Sequence, residues 1–431
     1  MNDEASAGDS PPGRTAVVIA CLPTVLAAVF LFLAESAVDV VLCLVLLLHG
    51  PLTLRLSAIR RRRQLFVEMP AILIGTLGIA ALLVVSMASL LEAAVPWGQA
   101  IGFGLYMGIW VLSLRIIYHG LQWGLERTCK KPLLTRVVAA VVMIGVGMPQ
   151  LFVALQTRRV AIGKQPNVYF AEGAHREVEF ENADGLLLRG TLLTQPENES
   201  AQPAVEPPLP RPIVIVCHGL GANRANFFAY AQMAWMQQCH VLAFDFRGHG
   251  QSEGAITTLG GREAGDVVAA SQWIRAQPQF ANSPLVLIGI SMGGASALRA
   301  AAAARADGVF TESAFADLSI MLEERMAGLG PLRHLAAASV RFAAWLQLGV
   351  DLEDVSPRDS LAALPLSTKV VLVHAGDDAL IPIAHGERLA AARVGQKLHV
   401  VEGAGHGGCL HVGWSQLETL LKGLLESVRA R

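Results

Sequence analysis

Gly289-Ile290-Ser291-Met292-Gly293 places a serine midway between two glycines. A serine hydroxyl attacks a carbonyl only when a base takes its proton. This spacing suits that chemistry on a sharp strand-to-helix turn, where the hydroxyl is exposed and glycines let neighbouring backbone pass closely. The pattern alone is weak, because glycine supplies 41 of 431 residues and Gly250-Gln251-Ser252-Glu253-Gly254 matches it as well. Context separates the two. Ser291 follows Leu285-Val286-Leu287-Ile288, a buried-strand run, and precedes the alanine-rich stretch Ala295 to Ala304, which reads as a helix. The N-terminus of such a helix adds hydrogen-bond donors and a positive dipole end. Ser252 follows Arg247-Gly248-His249-Gly250 and has no helix signal after it, so it reads as a loop serine.

The base needs a pKa near neutrality, which points to histidine, and a carboxylate must fix the tautomer of that histidine. Of twelve histidines, His406 lies in Gly403-Ala404-Gly405-His406-Gly407-Gly408, directly after the last expected strand. Asp378 follows the run Val370 to His374, in Gly376-Asp377-Asp378-Ala379-Leu380-Ile381-Pro382. The order Ser291, Asp378, His406 is one in which such triads occur. All three fall at C-terminal strand ends, where open α/β sheets bind ligands. The residues themselves leave neighbouring Asp377 open as the acid.

The elements that must position these groups alternate. Glu177 to Phe180, Asp184-Gly185 and Leu186 to Leu193 read as a hairpin. Strands are expected at Ile213 to Cys217, Val241 to Asp245, Leu285 to Ile290, Gly308 to Thr311, Val370 to His374 and Leu398 to Val401. Helices are expected at Ala225 to Gln237, Glu263 to Ala276, Gly293 to Ala304, Leu318 to Leu348, Ala384 to Arg393 and Gln416 to Ala430. Near-continuous Val/Ile/Leu strands alternating with helices imply a mostly parallel sheet covered on both faces.

In this order the motifs resemble the α/β-hydrolase superfamily, specifically its esterase- and lysophospholipase-like serine hydrolases. Ile215-Val216-Cys217-His218-Gly219-Leu220-Gly221 is similar to that family's oxyanion loop, and Asp245-Phe246-Arg247-Gly248-His249-Gly250-Gln251-Ser252 to its turn after the next strand. Gly289 to Gly294 and the Asp378 and His406 segments complete the set. The resemblance spans His175 to Arg431 and implies an α/β-hydrolase fold. It implies Ser291 as nucleophile, His406 as general base and acid, and Asp378, placed four residues before Pro382, as the orienting acid. It implies an oxyanion hole from the backbone N–H groups of Leu220 and Met292. His218 and His249 would shape loops, and Asp245 and Arg247 would hold a turn. Ala375 stands where the family often has glycine. No metal or organic cofactor is implied.

The first third of the chain reads differently. Thr15 to Ala34, Met69 to Leu91, Ala93 to Leu114 and Val137 to Thr157 are free of charge over 20, 23, 22 and 21 residues. About 20 apolar residues cross a bilayer as a helix. A fifth span, Val40 to Leu54, would need extension back through Ser36, with Glu35 and Asp39 at a surface turn. An all-α transmembrane bundle of four or five helices is therefore expected before the hydrolase-like part. The chain divides into a polar tail 1–14, a membrane region 15–157, a linker 158–174 and a domain 175–431. That domain carries a solvated loop at 195–210 and a helical insertion at 318–355. Basic loops stay in the cytoplasm. Arg60 to Arg63 and Arg127, Lys130, Lys131 and Arg136 place those loops there, and parity then puts the hydrolase-like domain outside. Arg158, Arg159 and Lys164 pull the other way.

Composition narrows the partners. Charged residues make up 16% of the chain and the formal net charge is −1. A soluble domain averages about 25% charged, and no basic stripe with interleaved aromatics marks a nucleic-acid surface. The expected partners are a membrane bilayer and a small-molecule or lipid ester. Cys21, Cys43, Cys129, Cys217, Cys239 and Cys409 form no C-x-x-C pair, so they read as buried free thiols, not a disulfide frame or a zinc site. The insertion's Met321, Met326, Leu329, Leu332, Leu335, Phe342, Trp345 and Leu348 either roof an acyl pocket or pack as amphipathic helices on the sheet. Peptide, thioester and lipid ester substrates stay open on the sequence, as does a receptor or scaffold with a retired hydrolase fold.

Overall fold

In strand β3 (Ile213–Cys217) and strand β5 (Leu285–Ile290) every residue is buried. Such strands need cover on both sides, and the chain supplies it. The computed structural model describes residues 148–157, 175–196 and 210–430, with 134, 138 and 145 singly. The chain divides into two units, Met1–Ala154 with Leu346–Gly349, and Leu155–Trp345 with Val350–Arg431.

The second unit holds an eight-stranded sheet. Its other strands are β1 (His175–Glu181), β2 (Leu187–Leu193), β4 (His240–Phe244), β6 (Gly308–Glu312), β7 (Lys369–Ala375) and β8 (Leu398–Val401). The order is β1-β2-β4-β3-β5-β6-β7-β8. β1, β2 and β4 pair antiparallel, and every pairing from β4 to β8 is parallel. The β1–β2 turn uses Asp184-Gly185 as expected, with Gly185 at φ 76° and Asn182 Oδ1 accepting from the Asp184 and Leu186 N–H groups.

Side-chain alternation sorts the core onto two faces. Ile213, Ile215, Leu285 and Leu287 meet Val267 and Ile274 of helix α3 (Glu263–Arg275) and Ala297 and Leu298 of helix α4 (Met292–Ala300). Val214, Val216, Val286 and Ile288 meet Tyr230 and Met233 of helix α2 (Phe228–Met236) and Leu417, Leu421, Leu424 and Leu425 of helix α9 (Cys409–Arg429). The spacing of those leucines gives α9 one apolar stripe, the pattern of a helix laid on a sheet.

Several bounds differ from the sequence reading, each for a local reason. α2 starts at Phe228, because Asn223 Oδ1 accepts from Ala225 N–H and turns the chain first. α9 starts at Cys409 and bends at Gly413, so helix begins three residues after His406. The insertion is two helices, α5 (Leu318–Arg325) and α6 (Arg333–Leu348), around a 3₁₀ turn with Gly330 at φ 56°. Helix α7 (Pro357–Ala363) is additional: Ser356 caps it by accepting from Asp359 N–H, and proline occupies its first turn. Helix α8 (Ala384–Ala391) precedes β8.

Of the first unit little is described. Helix α1 (Met148–Thr157) begins in it, and Gln347 donates to the backbone and side-chain oxygens of Gln150 at 2.8 and 2.7 Å. The expected membrane runs lie outside the described residues, apart from 138, 145 and 148–157 of the run Val137 to Thr157. Among the described residues no helix is long and apolar enough to cross a membrane.

Candidate active site

β5 delivers Ser291 directly into α4, and the turn between them is under backbone strain. Ser291 sits at φ 55°, ψ −121°, a region that non-glycine residues occupy only when the surroundings over-determine it. Two features do so. Its N–H donates to Glu312 O of β6 at 2.8 Å. The flanking glycines let backbone crowd in. A Cβ on Gly293 would stand 2.2 Å from Cys217 O, and one on Gly289 would stand 2.4 Å from Gly293 O. Both glycines of the motif are thus required by contact, not by flexibility.

His406 Nε2 lies 3.0 Å from Ser291 Oγ, and its Nδ1 lies 2.7 Å from Asp378 Oδ2. The chain Ser291–His406–Asp378 is therefore continuous at hydrogen-bond distance. Asp378 is held at both oxygens, since Oδ1 accepts from Leu380 N–H at 2.9 Å and Ile381 N–H at 2.8 Å. Burial raises the pKa of this carboxyl, but the hydrogen bonds from His406 and Ile381 outweigh it and hold the group below the ordinary carboxylate range. With its carboxylate ionised, Asp378 calls for a proton on Nδ1 of His406 and leaves Nε2 to accept from the serine. Asp377 is exposed, and its backbone N–H donates to Ala404 O at 2.9 Å.

The loop after β3 runs beside the serine. A Cβ on Gly219 would come within 3.5 Å of Ser291 Cβ, and Leu220 follows it. Met292 opens α4. Two histidines shape this region. His218 Nε2 accepts from Phe246 N–H at 3.0 Å and its Nδ1 faces Gly219 O at 2.8 Å. His249 Nε2 accepts from Gly221 N–H at 3.3 Å and its Nδ1 faces Arg247 O at 2.8 Å. The turn after β4 is tied by charge. Asp245 accepts from Arg224 N–H at 2.7 Å and Gln251 N–H at 2.9 Å, while Arg247 pairs with Asp266 and Asp184. Ser252 belongs to the same turn: its Oγ donates to Asp245 O at 2.6 Å and accepts from Arg189 N–H at 2.9 Å.

Sequence reading missed Glu312 and Tyr230. Glu312 ends β6, one residue beyond the expected strand, and is buried. Its backbone oxygen holds Ser291. Its carboxyl accepts from Tyr230 Oη–H and from Cys409 N–H at 3.3 Å, where α9 begins. Burial raises its pKa against those donors. An acidic residue closing an otherwise apolar strand was the available signal. Cys217, Cys239 and Cys409 are free and buried. Burial raises all three thiols, Cys239 to about 11. The other three cysteines lie outside the described residues. Among the described residues, no group of three or more His, Cys, Asp and Glu side chains is placed to hold a metal ion.

Residues 214–416 match the alpha/beta hydrolase family. The sheet and its loops form an α/β-hydrolase fold. The chain is 27% identical over 275 residues to an uncharacterized protein of Mycobacterium tuberculosis, covering 63% of this chain and 87% of that one. It is 31% identical over 206 residues to the uncharacterized protein YqkD of Bacillus subtilis, covering 45% of this chain and 64% of YqkD. Among solved structures, an esterase of Pyrococcus furiosus superposes with TM-score 0.45 at 19% identity, covering 62% of this chain and 98% of that one. Within the α/β-hydrolase fold described here, the site sits where β5, β7 and β8 end and the loops gather.

Proposed function

We propose that the chain is a membrane-anchored serine hydrolase that cleaves an ester-type bond through an acyl-enzyme. The observation that carries this reading is the hydrogen-bonded chain from Ser291 Oγ through His406 to Asp378, with the serine on a strained turn at the head of a helix. Ser291 Oγ attacks the carbonyl carbon while its proton passes to His406 Nε2. The carbonyl oxygen takes up the negative charge and accepts from the backbone N–H groups of Leu220 and Met292. His406 returns the proton to the leaving alkoxide, the carbon–oxygen bond breaks, and the alcohol departs. Water then repeats the sequence on the acyl-enzyme, releasing the acid and restoring Ser291. The buried Asp378 carboxylate stabilises the imidazolium at each proton transfer.

Anchoring rests on the four charge-free runs between Thr15 and Thr157, each long enough to span a bilayer. The two basic loops assign the catalytic domain to the side opposite the cytoplasm. The domain boundaries at 157 and 175 belong to the same reading. The test uses the full chain in detergent with p-nitrophenyl esters of increasing acyl length. The expected result is a rapid nitrophenol burst equal to the enzyme concentration, followed by slower turnover, both abolished in Ser291→Ala. A burst that survives in Ser291→Ala refutes the nucleophile. Absence of any turnover across the panel refutes the ester reading.

A further inference from the structure

The insertion between β6 and α7 buries only part of its apolar surface. Ala337, Val340, Ala343, Ala344 and Leu348 form the inward face of α6. Its outward face is apolar as well. Leu335 is 68% exposed, and Phe342 and Trp345 are open to solvent beside it, their rings stacked at 5.9 Å. Steps of seven and three residues keep these three on one side of a helix. The 3₁₀ turn before α6 continues the patch through Leu329 and through Leu332, which is 65% exposed. Every residue from 327 to 335 is exposed. Five large apolar side chains gathered in one place are not the scattered singles of an ordinary surface, and such a patch marks an interaction site.

Composition and charge select the occupant. Trp, Phe and Leu on one face, flanked by basic residues, is the make-up of a helix lying in the plane of a membrane interface. Here Arg325, Arg333 and His334 border the patch and are exposed. Arg341 is engaged by Glu323 and Glu353, His334 faces Glu323 at 3.5 Å and accepts from Arg333, and Glu324 is engaged by Arg388 and His385, which leaves Arg325 and Arg333 as the positive charges at the tip. Anionic headgroups complement that charge. The chain also brings a bilayer within reach on the anchoring reading. The last charge-free run ends at Thr157. The 17 residues from 158 to 174 span at most about 60 Å even when fully extended.

We infer that the face formed by Leu329, Leu332, Leu335, Phe342 and Trp345 lies in the headgroup–acyl boundary of the bilayer that anchors the chain. This rests on the membrane-anchored reading and makes the insertion a second, peripheral contact with the same membrane. A membrane-resident ester then meets the domain at the element that springs from the end of β6, next to the strand that carries Ser291.

The test needs no turnover. The full chain is reconstituted in vesicles of phosphatidylcholine and phosphatidylglycerol, three to one, containing a trace of alkyne-tagged phosphatidylcholine. A photoreactive benzoylphenylalanine replaces Leu335 in one variant and Phe342 in a second, the latter one aromatic for another. A third variant carries it at Val394, an exposed apolar residue outside the patch. After irradiation, tagged lipid is expected on the Leu335 and Phe342 variants at least tenfold above the Val394 variant. Cross-links from 335 or 342 to residues 1–147 would show that the chain's own N-terminal part covers the face, and cross-links to a second copy would show a dimer. Either result overturns the inference, as does lipid labelling no higher than at Val394. Retention of the chain in the vesicles after alkaline carbonate washing is scored separately, so failure of the anchoring reading is distinguished from failure of the docking face.

Discussion

Replacing Asp378 by asparagine changes one oxygen to an amide nitrogen and little else in shape, so its effect isolates the tautomer of His406. Asp378 Oδ1 accepts from Leu380 and Ile381 N–H, and an asparagine oxygen can do the same, which keeps the loop in place. Its amide N–H₂ group then faces His406 Nδ1, where Oδ2 stood at 2.7 Å. Two donors cannot share that contact. The imidazole shifts its proton to Nε2, which sits 3.0 Å from Ser291 Oγ, and the serine loses its base. In a triad of this kind the tautomer error costs about 10⁴ in kcat, on the order of 5 kcal/mol of transition-state stabilisation. KM should change little, because the ester contacts remain. The assay is steady-state hydrolysis of a p-nitrophenyl ester by the full chain in detergent, with Asp377→Asn alongside. The variant at exposed Asp377 should retain activity within about threefold, roughly 0.7 kcal/mol. A larger loss from Asp377→Asn than from Asp378→Asn, or an Asp378→Asn enzyme within tenfold of wild type, would refute the reasoning.

Gly293→Ala forces a Cβ to 2.2 Å from Cys217 O, a backbone clash that no side-chain movement relieves. The variant should lose at least about 1–3 kcal/mol of stability and nearly all turnover, read by urea midpoint and kcat. In Glu312→Gln the amide oxygen can still accept from Cys409 N–H while the amide N–H₂ donates to Tyr230 Oη, so the mismatch falls on the buried Tyr230 O–H, which loses its carboxylate acceptor. Burying that mismatch costs about 1–3 kcal/mol, and kcat should fall about tenfold with KM unchanged as the start of α9 shifts behind His406. Tyr230→Phe removes only one donor and should lose less. His240 Nδ1 accepts from Gln195 N–H at 3.2 Å, and burial, with Arg211 nearby, pushes its pKa down to about 4 from an ordinary 6.5. The unfolded chain then binds a proton that the folded chain refuses. The stability due to neutral His240 is complete above pH 6.5 and is lost as pH falls toward 4. The urea midpoint of His240→Gln should be less sensitive across that window than that of wild type, and equal slopes would contradict it.

Much of the α/β-hydrolase domain was legible because burial on both faces writes itself as unbroken apolar runs. Ile213–Cys217, Leu285–Ile290 and Leu398–Val401 match strands to the residue. Ser291 was separable from Ser252 because only one of them follows such a run and precedes a helix. What the sequence hid depends on contacts between distant residues. Nothing local says that Glu312 and Tyr230, 82 positions apart, share a hydrogen bond. Nor does anything local say that Ser252 is engaged by Arg189 and Asp245. Helix starts moved where a side chain or glycine redirected the backbone, at Asn223 and at Gly413. The apolar pattern of α6 was visible, but a pattern does not say which apolar side chains face the core. That distinction is what turns Leu335, Phe342 and Trp345 from packing residues into a surface.

The central claim is that Ser291 is an activated nucleophile. The most direct measurement is reaction of the full chain in detergent with a fluorophosphonate, followed by mass spectrometry of the peptides around the modified serine. One adduct per chain is expected on Ser291, absent in Ser291→Ala, slowed by several orders of magnitude in His406→Ala, and retained in Ser252→Ala. An adduct on Ser252, or a chain that stays unmodified while its fold is intact, would contradict the account.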